Sequence, residues 1–282
     1  MKKTKIEWCD STWNPVTGCR NWCKYCYARR IANRFAPFDY ATFDLDEIRS
    51  GLHTLQKPVL ITCKDGKKRI CSYPYGFEPT FHMYSLDKPQ RWAKLRTIFV
   101  CSMADLFGDW VPDKWIKEVF QACLKAPQHR YLFLTKNPGR YCDLYRKEIL
   151  PDKDNFWFGA TFDHSNWDGH KIGGRPTTFS YNGKAVHDAG DFYFPAQPNK
   201  NRFVSLEPLL YDIGKNIGSI GAGWVIIGAE TGDRKGKVVP EKSWIENIVR
   251  YCDGNGIPVF MKDSLISIIG EENMRREFPW GK

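Results

Sequence analysis

Six short apolar runs recur after residue 95: Thr97-Ile98-Phe99-Val100-Cys101, Tyr131-Leu132-Phe133-Leu134, Phe156-Trp157-Phe158-Gly159, Arg202-Phe203-Val204-Ser205, Trp224-Val225-Ile226-Ile227 and Ile257-Pro258-Val259-Phe260. Each is rich in β-branched or aromatic residues and lacks the polar alternation of a half-exposed strand, which is how strands of a parallel sheet covered on both faces read. Amphipathic stretches separate several of them. Asp113 is placed to cap a helix running to Leu124, Pro138 to open one ending at Arg146, and Pro240 to open another ending near Gly254-Asn255-Gly256. Near the start, Trp13-Asn14-Pro15-Val16 reads as a first strand and Cys23 to Phe35 as a first helix, with a further strand at Thr80 to Tyr84. Runs of this kind separated by helices suggest an α/β barrel.

Two stretches interrupt the pattern and read as insertions on one domain spanning residues 1–282. Residues 36–79 contain Val59–Cys63 and Arg69–Tyr73 around an Asp65-Gly66 turn, a hairpin signal, and residues 162–201 contain a second at Asn182-Gly183. Loops of this length more often cover a site than decorate a surface. Hydrophobic residues at 42% and aromatic residues at 15% exclude a disordered chain, because that much apolar surface can offset the entropy of ordering. No run approaches the ~18 apolar residues of a membrane span, and Met1-Lys2-Lys3-Thr4-Lys5 leads into Ile6-Glu7-Trp8 rather than an apolar export signal. A cytoplasmic location without membrane contact is therefore expected, with the ten cysteines reduced. The net charge of +10, with Lys64, Lys67, Lys68 and Arg69 close together, favours an anionic partner such as nucleic acid or the phosphates of a small substrate.

Chemistry concentrates in Thr17-Gly18-Cys19-Arg20-Asn21-Trp22-Cys23-Lys24-Tyr25-Cys26-Tyr27, a Cys-x-x-x-Cys-x-x-Cys run between the first strand and the first helix. Three thiolates on one tight loop can wrap three corners of an iron–sulfur cube, sulfur being the soft ligand that such iron prefers. A closed cluster or a structural zinc normally takes four protein ligands, so three leave one metal open to something that is not protein.

That spacing, with aromatic Tyr25 just before the last cysteine, resembles the signature of the radical-SAM superfamily. The chain also resembles a narrower family, found in phages and bacterial mobile elements, of three-cysteine proteins whose reaction is unassigned. The second resemblance is carried by Ile6-Glu7-Trp8 with Thr12 to Cys19, Ser102-Met103-Ala104-Asp105-Leu106-Phe107, Leu134 to Pro138, Ser205 to Leu209 and Gly228-Ala229-Glu230-Thr231-Gly232. Many members of that family have a longer spacer between the first two cysteines; here the spacing is the shorter radical-SAM one. The resemblance implies a radical-SAM-type partial (β/α)6 TIM barrel, extending to as many as eight strands, with the two insertions over its open end. It implies a 4Fe-4S cluster on Cys19, Cys23 and Cys26, with S-adenosylmethionine chelated to the open iron. It implies reductive cleavage of that cofactor to a 5'-deoxyadenosyl radical, driven by an electron donor such as flavodoxin or ferredoxin, and hydrogen abstraction from a substrate. Nucleotide or nucleic acid is the favoured substrate class on charge and phage association; a peptide or protein side chain is the alternative.

In a barrel, polar residues at the carboxyl ends of strands converge on the cavity. Ser102, Asp105, Thr135, Lys136, Thr161, Ser205, Glu207, Gly228, Glu230, Lys262 and Asp263 occupy such positions. Of these, Ser102, Asp105, Lys136, Glu207 and Glu230, together with Tyr25, are the expected cofactor-binding set. Lys136 is the candidate for the carboxylate, and Glu207 and Glu230 for ribose, amino group or substrate. The competing reading is a nucleic-acid-binding module whose cysteine loop holds a structural zinc, with Cys9, His82 or an insertion cysteine as fourth ligand. The remaining cysteines read as small buried hydrophobes, with Cys63 and Cys71 able to face each other across the first hairpin. His164, His170 and His187 lack metal-ligand spacing, and Trp110 and Trp115 read as core.

Overall fold

The computed structural model describes residues 4–36, 51–63, 65–162, 180–181, 184–185, 201–213, 217 and 221–281. Its chain forms two compact units, Met1–Phe133 and Leu134–Lys282.

In the first unit the opening strand stops early. Strand β1 covers Ser11–Trp13 and β2 covers Val16–Thr17, with Asn14-Pro15 between them. Proline has no N–H to give a ladder, so the chain leaves one sheet there and enters another. Helix α1 is Tyr27–Phe35. Strands β3 (His53–Leu55), β4 (Leu60–Thr62), β5 (Lys68–Ile70) and β6 (Thr80–His82) follow, then β7 (Thr97–Val100), helix α2 (Asp113–Leu124) and strand β8 (Arg130–Thr135). β1 pairs in parallel with β7, and β7 with β8. β2 instead runs antiparallel to β6, which also pairs with β3 in a small three-stranded sheet. The β4–β5 hairpin forms around Asp65-Gly66 with Leu60 opposite Ile70, which sets Cys63 against Lys67 and Cys71 against Val59 rather than against each other. Behind β7 and β8, α2 buries Trp115, Ile116, Val119, Phe120 and Cys123, and the rings of Phe107, Phe120 and Phe133 meet one another.

The second unit holds helix α3 (Gly139–Arg146), strand β9 (Phe156–Thr161), β10 (Ser180–Tyr181) and β11 (Lys184–Ala185), then β12 (Arg202–Leu206), β13 (Val225–Ile227), helix α4 (Lys242–Gly254) and β14 (Val259–Met261). β9, β12, β13 and β14 pair in parallel in that order. β10 and β11 form the hairpin expected across Asn182-Gly183; the rest of the second insertion, with His164, His170 and His187, lies outside the described residues. Alternate residues of β12 face opposite layers. Val204 and Leu206 join Val225, Ile227, Val259 and Met261 beneath Ile245, Ile248 and Cys252, spaced at i, i+3 and i+7 on α4. Phe203, on the opposite side of the strand, meets Trp224, whose ring also touches Trp157, Phe260, Phe278 and Trp280.

The strands are those the apolar runs mark, but the expected (β/α)6 TIM barrel is not formed. The main sheet has seven strands in the order β1-β7-β8-β9-β12-β13-β14, with β1 and β14 as edges rather than partners. The βα alternation is also incomplete, since among the described residues no α-helix separates β12 from β13. Apolar runs report which segments are covered on both faces; closure depends on strand tilt and stagger, which no local pattern encodes.

Trp224 is fully buried and its Nε1–H donates to the Glu277 carbonyl at 3.0 Å. Replacing it with alanine is expected to cost about 3–5 kcal/mol, the range for large aromatic truncations. Thermal unfolding by circular dichroism should show a melting temperature lower by on the order of 10 °C; an unchanged midpoint would contradict this packing.

Candidate functional site

The three cysteines sit on the loop between β2 and α1, and the loop is anchored at its root. Gly18 has φ of 87°, and a Cβ placed there would lie 2.2 Å from the Glu78 carbonyl oxygen, so only glycine fits. Its N–H donates to the Met103 carbonyl at 2.9 Å, and the Cys19 N–H donates to that of Phe77 at 3.2 Å. The loop is thus pinned between the segment entering β6 and the turn leaving β7. That turn contains Cys101 at φ of 59°, and the loop itself contains Trp22 at φ of 53°. Left-handed backbone costs a side-chain-bearing residue about 1–2 kcal/mol, so both must be held by their surroundings. Helix α1 starts at Tyr27 and not at Cys23 because Cys26, with φ of −61° and ψ of 106°, is still extended. An extended residue is what a helix cap requires, and Cys26 fills that place, its Sγ accepting the Arg29 N–H at 3.3 Å.

Around this root the loop is tied by its own side chains. Asn21 Nδ2 donates to Asp105 Oδ2 at 3.0 Å, and the other oxygen of that buried carboxylate accepts the Phe107 N–H at 3.1 Å. Tyr27 OH donates to the Ser102 carbonyl at 2.7 Å, while the Ser102 hydroxyl and the Met103 N–H donate to Asn14 Oδ1 at 3.2 and 3.1 Å. Arg29 Nη2 donates to the Cys19 carbonyl at 3.0 Å, and its guanidinium lies 4.0 Å from the Trp22 ring centroid and 5.0 Å from that of Phe77. Arg20 pairs with Glu78 at 3.1 Å. Two expected cofactor-binding residues, Ser102 and Asp105, therefore meet the cysteine loop and hold it in shape. Asn21 and Arg29, which the sequence patterns do not single out, complete the frame; the only signal for them is their place inside or just after the cysteine run.

Cys19, Cys23 and Cys26 are each half-buried, and Cys19 and Cys26 pack against Ala28, Ala32, Phe77 and Met103. Desolvation drives the Cys19 thiol well above its ordinary pKa, and the charge of Asp105 adds to this, with smaller contributions from Cys23 and Cys26. The Asn21 N–H, 3.5 Å from Cys19 Sγ, works in the opposite direction by stabilising negative sulfur. None of the ten cysteines is in a disulfide. Among the described residues no three His, Cys, Asp or Glu side chains are grouped so as to hold a metal ion. The donor set nonetheless matches an iron–sulfur cluster in kind and number: three thiols on one loop, with backbone N–H groups already directed at two of the sulfurs. Tyr25, half-buried, lies between two of them.

The strand-end residues of the second unit are matched with one another. Glu207 pairs with Lys262, and Gly228 lies so close to this pair that a Cβ would fall 3.1 Å from the lysine Cδ and 3.2 Å from the glutamate Cγ. Glu230 is gripped by Arg234 through two hydrogen bonds of 2.5 and 2.7 Å, which hold its carboxyl below the usual range. Asp263 pairs with Arg276, and Ser205 lies opposite Thr161 in the sheet register. Lys136 is half-buried immediately after β8, and Thr135 there accepts the Asn137 N–H at 2.9 Å.

A family model described as "Protein of unknown function (DUF5131)" matches residues 3–174 and 185–267. No curated protein and no solved structure matches the chain.

His82, a candidate fourth ligand for a structural zinc, is committed elsewhere. Nε2 shares a hydrogen bond with Thr17 Oγ1 at 2.9 Å and Nδ1 shares one with Tyr84 OH at 3.1 Å, in a site that leaves the residue 3% exposed. Burial lowers its pKa to about 4. The unfolded chain, with its ordinary histidine, therefore binds a proton that the folded chain refuses, and stability falls as pH drops from about 6.5 towards 4. Chemical denaturation across that window should show a loss on the order of 2–3 kcal/mol from this residue. His82→Gln, which retains a partner for Thr17, should flatten the profile; an equally steep profile in the variant would refute the assignment.

Proposed function

The chain belongs to the DUF5131 family of proteins of unknown function, and we propose that it is a radical-SAM enzyme holding a 4Fe-4S cluster on Cys19, Cys23 and Cys26. One observation carries the reading: three thiols, and no fourth, are presented on a single short loop whose root is fixed by Gly18 and whose shape is fixed by Asn21, Tyr27 and Arg29. The proposal rests on that loop and its spacing, not on a barrel. When bound, such a cluster supplies the electron that cleaves S-adenosylmethionine to methionine and a 5'-deoxyadenosyl radical, which abstracts hydrogen from substrate.

The protein's share is positional and electrostatic. The backbone N–H of Asn21 stabilises negative charge on the sulfur of Cys19, and that of Arg29, in the first turn of α1, donates to the sulfur of the capping Cys26. Asp105 opposes that charge, so it serves to fix Asn21 rather than to activate the thiol. The fold presents Cys19 as a neutral thiol, so loading metal must release protons. A nucleotide or nucleic acid is the proposed substrate class, on the net charge of +10, and a small acidic electron carrier of the flavodoxin or ferredoxin kind the proposed reductant. Among the described residues no helix is long and apolar enough to cross a membrane.

Anaerobic reconstitution with iron and sulfide should give a brown protein that, once reduced in the presence of S-adenosylmethionine, forms 5'-deoxyadenosine detectable by mass spectrometry. Cys19→Ala, Cys23→Ala and Cys26→Ala should each reduce that product to background. A colourless protein carrying one stoichiometric zinc and releasing no 5'-deoxyadenosine would overturn the proposal in favour of a zinc-stabilised binding module.

A further inference from the structure

Helix α1 is turned inside out relative to ordinary amphipathic logic. Its buried face is only Ala28 and Ala32, whereas Tyr27, Arg30, Ile31, Arg34 and Phe35, at i, i+3, i+4, i+7 and i+8, form one stripe on the exposed side. Tyr27 is 42% exposed, Ile31 38% and Phe35 59%. The cysteine loop that leads into this helix carries Trp22, which is 69% exposed yet held in a left-handed conformation with the Arg29 guanidinium 4.0 Å from its ring centroid. Lys24, Arg30 and Arg34 are exposed on the same segment, and no Asp or Glu occurs between Asp10 and Asp39. An aromatic residue kept at the surface in a costly backbone conformation, on a cationic stretch without acidic residues, calls for a flat anionic partner.

We propose that the cysteine loop and the exposed stripe of α1 form a binding face for single-stranded nucleic acid. Trp22 and Tyr27 would stack unpaired bases, and Lys24, Arg30 and Arg34 would follow the phosphates. Charge alone fits any polyanion, including an acidic protein. The aromatic component decides between them, because a base offers a π-face to an exposed ring and a carboxylate-rich protein surface does not. A duplex fits poorly, since its bases are already stacked on each other and only its backbone would meet this face. The placement beside Cys19, Cys23 and Cys26 gives the bound strand a reaction centre on the reading proposed above, and the inference rests on that reading for its purpose; binding itself needs no cluster.

The test uses the full chain, both metal-free and reconstituted, with a fluorescein-labelled 12-nucleotide oligothymidine and its RNA counterpart followed by anisotropy. Stacking of ~1–3 kcal/mol per base predicts that Trp22→Ala weakens binding about 5- to 150-fold. The same substitution should leave competition by inorganic polyphosphate, which has charge without bases, within about twofold. Arg30→Ala with Arg34→Ala should lower the slope of log affinity against log salt by about 1.4, or ~0.7 for each single-strand phosphate that is no longer neutralised. Circular dichroism of each variant confirms folding. Equal affinity for duplex and single strand, or a Trp22→Ala variant that binds oligothymidine like the parent, would overturn the proposal and leave a general anionic surface or an acidic protein as occupant. Oligonucleotide binding without 5'-deoxyadenosine formation would leave this face standing and remove the radical chemistry; the converse result would remove this face alone.

Discussion

The close approach of Gly18 to the Glu78 carbonyl is the constraint on which the candidate site depends. β2 leaves the path of β1 because Pro15 has no N–H to donate, and it joins β6, which brings Phe77 and Glu78 against the start of the cysteine run. A side chain at position 18 would have to displace backbone on a neighbouring segment, not a movable side chain. With the root fixed there, Met103 and Phe77 accept the first two N–H groups of the loop, and the loop's polar side chains reach Asp105 and Ser102. The thiols therefore owe their setting to contacts made with β6 and with the turn after β7, both distant in sequence.

Local patterns in the sequence reported what each segment buries and little about what it meets. The apolar runs at 97–101, 131–134, 156–159, 202–205, 224–227 and 257–260 each overlap a strand, being short, apolar on both faces and rich in β-branched or aromatic residues. Helix α2 spans the predicted Asp113 to Leu124, with Pro112 instead of Asp113 as its cap. Sheet closure failed as an expectation since it depends on the geometry between first and last strands. The pairing of Cys63 with Cys71 failed for a register reason: hairpin length sets Cys63 opposite Lys67 and Cys71 opposite Val59.

Charged residues at strand ends show a second limit. Glu207, Glu230 and Lys262 occupy positions suited to a ligand, and each also has a protein partner: Glu207 with Lys262, Glu230 with Arg234. A sequence discloses that such a residue stands at a strand end but not that an opposite charge lies beside it. Arg234 is four residues beyond Glu230 on an irregular segment, with no helical periodicity to announce the pair.

The electrostatics of the cysteine loop point to a division of labour. A buried thiol beside a carboxylate resists ionisation, and Cys19 experiences both desolvation and Asp105. A reactive free thiolate would favour the reverse arrangement, with cations in place of the carboxylate. The Arg29 guanidinium is occupied with the Cys19 carbonyl and the rings of Trp22 and Phe77, so it steadies the loop. A sulfur that is difficult to ionise alone but backed by a backbone N–H suits a partner that brings its own positive charge, as iron does, better than it suits nucleophilic attack. The same arrangement explains how Trp22 can be left at the surface. The Arg29 guanidinium that braces the loop is also in contact with the indole, so the exposed ring is positioned without being buried.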